Sequence, residues 1–306
     1  MLALHRFGVT YVKDTDTIGL LIEESLMLRD QLPSNPSKQG KVSVNGLEMY
    51  YEVHGTGQPL ALLHGAFSAI GTSFGKILPG LAKNRQVIAF ELQGHGRTAD
   101  IDRPLSIVAM ADDVAAALRS LGIEQADLFG YSMGASVALH ATIRHPELVR
   151  KLVLASVTYT LSGVHPGLMD GLAEMKPEMI HGSPWHDEYM KIAPHPDNFA
   201  TLFEKKTQMD RQIKDVPEEL VRGITAPTLL ILGDSDLVRP EHAVEMFRLL
   251  GGGIFGDMPP GLPNSQLAIL PGTSHVTLVD RAEWLVSMIN AFLDTPIKST
   301  PGDALS

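Results

Sequence analysis

The 306-residue sequence contains no cysteine. That absence excludes disulfides, thiolate catalysis, iron–sulfur clusters and cysteine-bound zinc together. Long apolar runs are missing as well. Stretches such as Leu60–Leu63 and Thr228–Leu232 are far too short to span a bilayer. No dense lysine or arginine cluster is present, and 25 basic against 35 acidic residues leave a formal net charge of -10. A polyanion such as nucleic acid is therefore repelled. Asp14, Asp16, Glu23 and Glu24 interrupt any signal-peptide core near the start, so the chain reads as cytoplasmic. The phosphate-binding and dinucleotide fingerprints and the H-E-x-x-H zinc motif do not occur.

Apolar residues make up 44% and charged residues 20% of the chain, the balance of an ordinary globular protein. Val42 and Val44 alternate with polar residues, Asn45-Gly46 offers a type I′ turn, and Leu47–Val53 continues as a strand, which together read as a hairpin. Short, nearly continuous apolar runs follow at Leu60–Leu63, Val87–Phe90, Leu128–Phe129, Leu152–Ala155, Leu229–Leu232 and Leu267–Leu270. Such runs suit strands buried on both faces of a mostly parallel sheet. Helical stripes lie between most of them: Ile107, Met110, Ala111, Val114 and Leu118, then Val137 and Ala141, and last Trp284, Leu285, Met288, Ile289 and Phe292. The alternation implies an α/β fold. It breaks between Val157 and Thr225, where helical fragments, Pro, Gly, Met and His replace strands. A structureless loop of that length is improbable in a compact domain, so an inserted helical cap is expected. The expected division is an N-terminal extension over 1–40, a core over 41–157 and 225–294, a cap over 158–224 and a frayed tail over 295–306. Ile18–Leu32 carries a mild helical periodicity, and this arm leaves room for a homodimer.

Gly130-Tyr131-Ser132-Met133-Gly134 follows the run Asp127–Phe129 and opens the helical segment Ala135–His145. A G-x-S-x-G sequence between strand and helix is the pattern of a nucleophile elbow. The tight turn holds the serine in a strained backbone conformation, so that its Oγ stands clear of the sheet. Residues two positions either side must be tiny, because strand and helix backbones close on each other there. The helix N-terminus also favours negative charge developing at Ser132.

Leu62-Leu63-His64-Gly65-Ala66-Phe67 ends an earlier buried strand. Acyl transfer needs two N–H donors for an oxyanion, and Ala66 and Met133 are assigned to that task, with Phe67 as a substitute for Ala66. Phe67 and Tyr131, beside those donors, are the candidate substrate contacts. His64 reads as a structural histidine that holds its loop. A serine nucleophile needs a base and an orienting carboxylate, which follow an elbow of this kind in the order Ser, acid, His. Asp234 and Asp236 both lie in the turn after Leu229–Leu232. Asp236, two residues further on and just before a helix starting near Pro240, is favoured over Asp234, which can serve the turn itself. His275 lies in the loop after the last strand, the position from which an imidazole can fold back over the elbow. His140 and His145 read as helix-capping or solvated. His181 and His186 with Asp187 match no zinc-helix spacing, so no metal is expected.

The His64-Gly65 loop, the G-Y-S-M-G elbow, the G-D-x-D turn at Asp234–Asp236 and the G-T-S-H loop at His275 together resemble the α/β-hydrolase superfamily, most of all its serine esterase and cofactor-free haloperoxidase-like branch. The likeness spans about residues 41–294. It implies a mostly parallel eight-stranded sheet flanked by helices, with an inserted helical cap, and a Ser132–Asp236–His275 triad. It implies cleavage of a small-molecule carboxylic ester with no cofactor; a lactone, a perhydrolysis reaction or a C–C bond next to a ketone could use the same triad, and a non-catalytic ligand sensor is the alternative from another class. Glu91-Leu92-Gln93-Gly94-His95-Gly96-Arg97-Thr98 departs from the pattern, since many relatives carry an Asp and an Arg before the first glycine. The Gly/Pro-rich stretch 251–263 is unusual for the family.

Overall fold

The computed structural model describes residues 35–259 and 261–297. The periodicity of Ile18–Leu32, most of the N-terminal arm and the tail beyond 297 lie outside the described residues, and so does any dimer contact made by that arm.

Eight strands form one sheet: β1 (Lys38–Val44), β2 (Leu47–His54), β3 (Gln58–Leu63), β4 (Arg85–Phe90), β5 (Ala126–Tyr131), β6 (Val149–Ala155), β7 (Thr228–Ser235) and β8 (Gln266–Ser274). Their order across the sheet is β1-β2-β4-β3-β5-β6-β7-β8. The β1–β2 and β2–β4 pairs are antiparallel and all others parallel. Asn45 and Gly46 make the hairpin turn with φ of 50° and 82°, the left-handed pair a type I′ turn requires. β1 starts at Lys38, inside the segment expected to precede the core.

The helices are α1 (Ile70–Phe74), α2 (Leu78–Leu81), α3 (Ile107–Ser120), α4 (Met133–Arg144), α5 (Leu168–Ala173), α6 (Pro184–Ile192), α7 (Phe199–Arg211), α8 (Glu218–Arg222), α9 (Pro240–Leu249) and α10 (Ala282–Asp294). Apolar runs in the strands are continuous because both sheet faces are covered. In β3, Ala61 and Leu63 pack into the core under α3 and α4, while Leu60 and Leu62 pack into the opposite core with α1, α2 and α10. Val153 and Ala155 of β6 likewise alternate with Leu152 and Leu154. The α3 stripe is buried at Met110, Ala111, Val114, Ala117 and Leu118, and Ser106 caps its start by accepting from Ala109 N–H. Within the last stripe Trp284 stays exposed, under the Arg281 guanidinium.

Between β6 and β7 no strand forms; the segment holds α5–α8 and short 3-10 turns. One isolated bridge, Val164 to Val238, joins it to the loop after β7. Lys205 of α7 also reaches the core, where its Nζ donates to Asp100 Oδ2 at 2.5 Å and to the Ile101 and Arg103 carbonyls. β8 runs four residues past the expected end at Leu270. The side chain of Asp234 explains the extension: its carboxylate accepts from the N–H groups of Gly272 and Thr273, at 2.9 and 3.1 Å, and holds that segment beside β7. Among the described residues no helix is long and apolar enough to cross a membrane.

Candidate active site

Ser132 stands between β5 and α4, at the N-cap of the helix, with φ 55° and ψ -119°. The conformation costs about 1–3 kcal/mol for a residue with a Cβ and persists because its surroundings allow nothing else. A Cβ on Gly130 would meet the Ala135 Cα at 2.5 Å, which is how closely strand and helix approach. Ser132 Oγ makes no capping bond to α4. It meets His275 Nε2 at 2.9 Å instead. His275 Nδ1 lies 2.9 Å from Asp236 Oδ1.

Asp236 is buried and well supplied with donors. Val238 N–H donates to Oδ1 at 3.3 Å, and Gly233 N–H and Ser156 Oγ–H donate to Oδ2 at 3.2 and 2.5 Å. Burial pushes this carboxyl up, but the His275 bond and charge, with the Ser156 and Gly233 bonds, outweigh it and hold it below the ordinary carboxylate range. It is therefore an anion at neutral pH, the state that orients an imidazole through Nδ1–H. Asp234, the other acid of the turn, is exposed and serves the β8 backbone.

His64 is fully buried and makes two backbone contacts. Nδ1 donates to the Gly65 carbonyl at 2.8 Å, and Nε2 accepts from Leu92 N–H at 3.0 Å. Burial pushes it down to about 4, so it stays neutral and ties the β3 and β4 loops together. The loop after β3 lies against the elbow: a Cβ on Gly65 would stand 3.5 Å from Ser132 Cβ. Ser68 Oγ donates to the Gly65 carbonyl and Ser73 Oγ accepts from Gly65 N–H, which fixes the loop. Among the described residues nothing accepts from the Ala66 or Met133 N–H.

A cavity of about 160 Å³ opens beside Ser132, Ala66 and Met133. Its walls are mainly apolar, with Ile107, Leu139, Val157, Met169, Leu172 and Met209 among the lining residues. Neither Phe67 nor Tyr131 lines it. Phe67 stacks on Phe203 with ring centres 5.0 Å apart, and Tyr131 Oη donates to the His275 carbonyl at 2.8 Å while its ring stacks on the imidazole. Tyr131 thus braces the histidine, and burial pushes its phenol well above the ordinary range.

Sequence reasoning missed Ser156 and such polar cavity residues as Ser136, Lys206 and Asp210, and it read His140 as helix-capping or solvated where the imidazole lines the cavity. Lys206 and Asp210 pair with each other at 2.5 Å, one turn apart on α7. Ser156 left one trace in the sequence, a serine directly after a buried parallel strand. His145 caps α4 and bonds Asp112 at 2.8 Å. His181 and His186 lie with ring centres 4.5 Å apart and their planes tilted by 36°, and among the described residues no three His, Asp or Glu side chains gather as metal ligands.

The sequence model of the alpha/beta hydrolase fold family matches residues 58–216. The 2-hydroxymuconate semialdehyde hydrolase of Pseudomonas sp. (strain CF600) is 26% identical over 85% of this chain and 96% of that protein. The serine hydrolase BPHL of Homo sapiens is 27% identical over 74% of this chain and 80% of its own. The crystal structure of the enol-lactonase from Burkholderia xenovorans LB400 superposes with a TM-score of 0.63 at 19% identity, over 83% of this chain and 100% of that one.

Proposed function

The chain belongs to the α/β-hydrolase-fold family, and from that premise we propose that it is a serine hydrolase cleaving carboxylic esters of small to medium acyl chain through an acyl-enzyme intermediate. The observation that carries this reading is the continuous Ser132–His275–Asp236 hydrogen-bond chain, which ends on a cavity with two free N–H donors. His275 Nε2 takes the proton as Ser132 Oγ attacks the ester carbonyl. Asp236 fixes the imidazole tautomer and stabilises the imidazolium. Ala66 and Met133 N–H groups hold the oxyanion. His275 then protonates the departing alcohol, and water repeats the sequence on the acyl-enzyme. No cofactor enters any step. The cavity volume and its apolar walls support a small-molecule ester with an aliphatic acyl group.

A second reading on the same triad, a lactonase or C–C bond hydrolase, is favoured by what some relatives are called, a semialdehyde hydrolase and an enol-lactonase. Hydrolysis of p-nitrophenyl esters of graded acyl length, by wild type and Ser132→Ala side by side, tests the first. Turnover by wild type and a loss of roughly 10⁴-fold or more in the variant is the expected outcome. A folded wild type that spares every ester but opens lactones replaces the first reading by the second. Tight ligand binding without turnover of either class replaces both by a ligand sensor.

A further inference from the structure

Among the described residues four non-glycine residues have positive φ: Asn45 in the hairpin turn, Phe67 (59°), Ser132 (55°) and Ser156 (56°). Three of the four stand around one site. Ser132 is the elbow residue and Phe67 adjoins the loop donor Ala66. Ser156 has no part in the proposed steps, yet it is 4% exposed and holds a conformation that a residue with a Cβ avoids.

Its place in the sheet is specific. β6 lies between β5, which delivers Ser132, and β7, which delivers Asp236. Ser156 follows the last residue of β6. Ser132 N–H donates to the Ala155 carbonyl at 2.9 Å, and Ser156 N–H donates to the Ile231 carbonyl at 2.8 Å, so this point is stitched to both neighbours. Continued as strand, Ser156 would carry its side chain to the face of Leu152 and Leu154. The left-handed turn takes it out of that register, and its one hydroxyl proton goes to Asp236 Oδ2. Among the described residues Oδ2 accepts otherwise only from Gly233 N–H, while Oδ1 faces His275.

We propose that Ser156 is a positioning residue of the triad: its hydroxyl fixes the plane of the Asp236 carboxylate, aims Oδ1 at His275, and draws negative charge towards Oδ2 so as to set the basicity of the imidazole. The proposal rests on reading Asp236 and His275 as the acid and base of the site. Glycine would adopt the backbone conformation without strain and would lack the donor. The other charged or titratable groups around the pair are placed differently. Tyr131 holds the His275 carbonyl, Asp234 holds the β8 backbone, Arg281 binds the Gly272 carbonyl and Thr273 Oγ1, and Asp280 faces Lys76.

Full-length Ser156→Ala and Ser156→Gly are compared with wild type. Alanine removes the hydroxyl and keeps the strain; glycine removes both. In both variants kcat for an ester falls roughly ten- to a hundredfold, the worth of one hydrogen bond to a charged group. KM moves by less than about twofold. The acid limb of the kcat/KM profile shifts to higher pH, because an undrained Oδ1 stabilises the imidazolium more strongly. NMR titration of the His275 ring reads the same upward shift with no substrate present, so failure of the ester reading is distinguishable from failure of this one. If Ser156→Gly keeps the wild-type kcat and leaves both the profile and the titration unmoved, the hydroxyl is only structural and the proposal is overturned.

Discussion

Gly134 has no room for a methyl group, since a Cβ there would come within 2.0 Å of the Leu63 carbonyl oxygen. The contact is backbone, which cannot swing aside, so the only relief is to part α4 from β3. Gly134→Ala is expected to destabilise the fold by about 3 kcal/mol or more, read by urea denaturation, with activity lost alongside as the elbow opens. This requirement was legible in the sequence because it leaves a fixed G-x-S-x-G spacing. The acid was harder to read. Asp234 and Asp236 occupy one turn and both accept backbone N–H groups, and only the path of β8 decides which of them meets His275. Ser156 left no spacing to find, because its role depends on three strands that are neighbours in space and far apart along the chain. Phe67 and Tyr131 were legible as neighbours of the donors, but the directions of their side chains were not.

At the scale of the element, the loop from Glu91 to Thr98 closes the end of β4 around a buried carboxylate. Glu91 accepts from Arg97 N–H and Nη1, and its own carbonyl accepts from Thr98 Oγ1, which in turn accepts from Tyr50 N–H. Burial pushes the Glu91 carboxyl up to about 7, against the pull of the Arg97 charge. A carboxyl raised on folding holds a proton that the unfolded chain has already lost, so folding is favoured by acid. Stability is therefore expected to fall as pH rises from about 4.5 to about 7 by up to roughly 3 kcal/mol, and Glu91→Gln removes that slope. Denaturant melts of the two proteins between pH 5 and 8 check it, and parallel slopes would refute it. Strands of the sheet centre were legible because two covered faces demand unbroken apolar residues, as Leu60–Leu63 shows. The extension of β8 through Pro271–Ser274 was not, because a side chain, Asp234, supplies its register instead of a hydrophobic pattern.

Across the whole molecule the two ends of the sheet do different work. At the starts of β4, β5 and β6, Asp127 lies 2.5 Å from Arg150 and 3.8 Å from Arg85, and Arg85 also binds Asp294. Lys151, almost fully buried, donates to the Phe292, Leu293 and Thr295 carbonyls and pins the end of α10. Asp127→Ala would leave two guanidiniums facing a buried gap. A loss of about 3–5 kcal/mol is expected in urea unfolding, while kcat/KM at 20 °C or below stays near wild type, because the proposed reacting groups sit at the opposite ends of the strands. A matching fall in kcat/KM on the folded variant would show that the two ends are coupled. The residues around Ser132 and those facing them across the cavity are separate in another way. Ser132, Met133 and Ser156 form the floor of the cavity on the sheet, whereas Met169, Leu172, Lys206, Met209 and Asp210 form its ceiling on α5 and α7. The ceiling is contributed by one continuous segment between the adjacent strands β6 and β7, tied to the rest by Lys205 and the Val164–Val238 bridge. That segment is nevertheless bonded to the turn beside Asp236, where His165 N–H donates to the Leu237 carbonyl and Arg239 N–H donates to the Gly163 carbonyl, so the ceiling of the pocket and the carboxylate beneath it are mechanically tied.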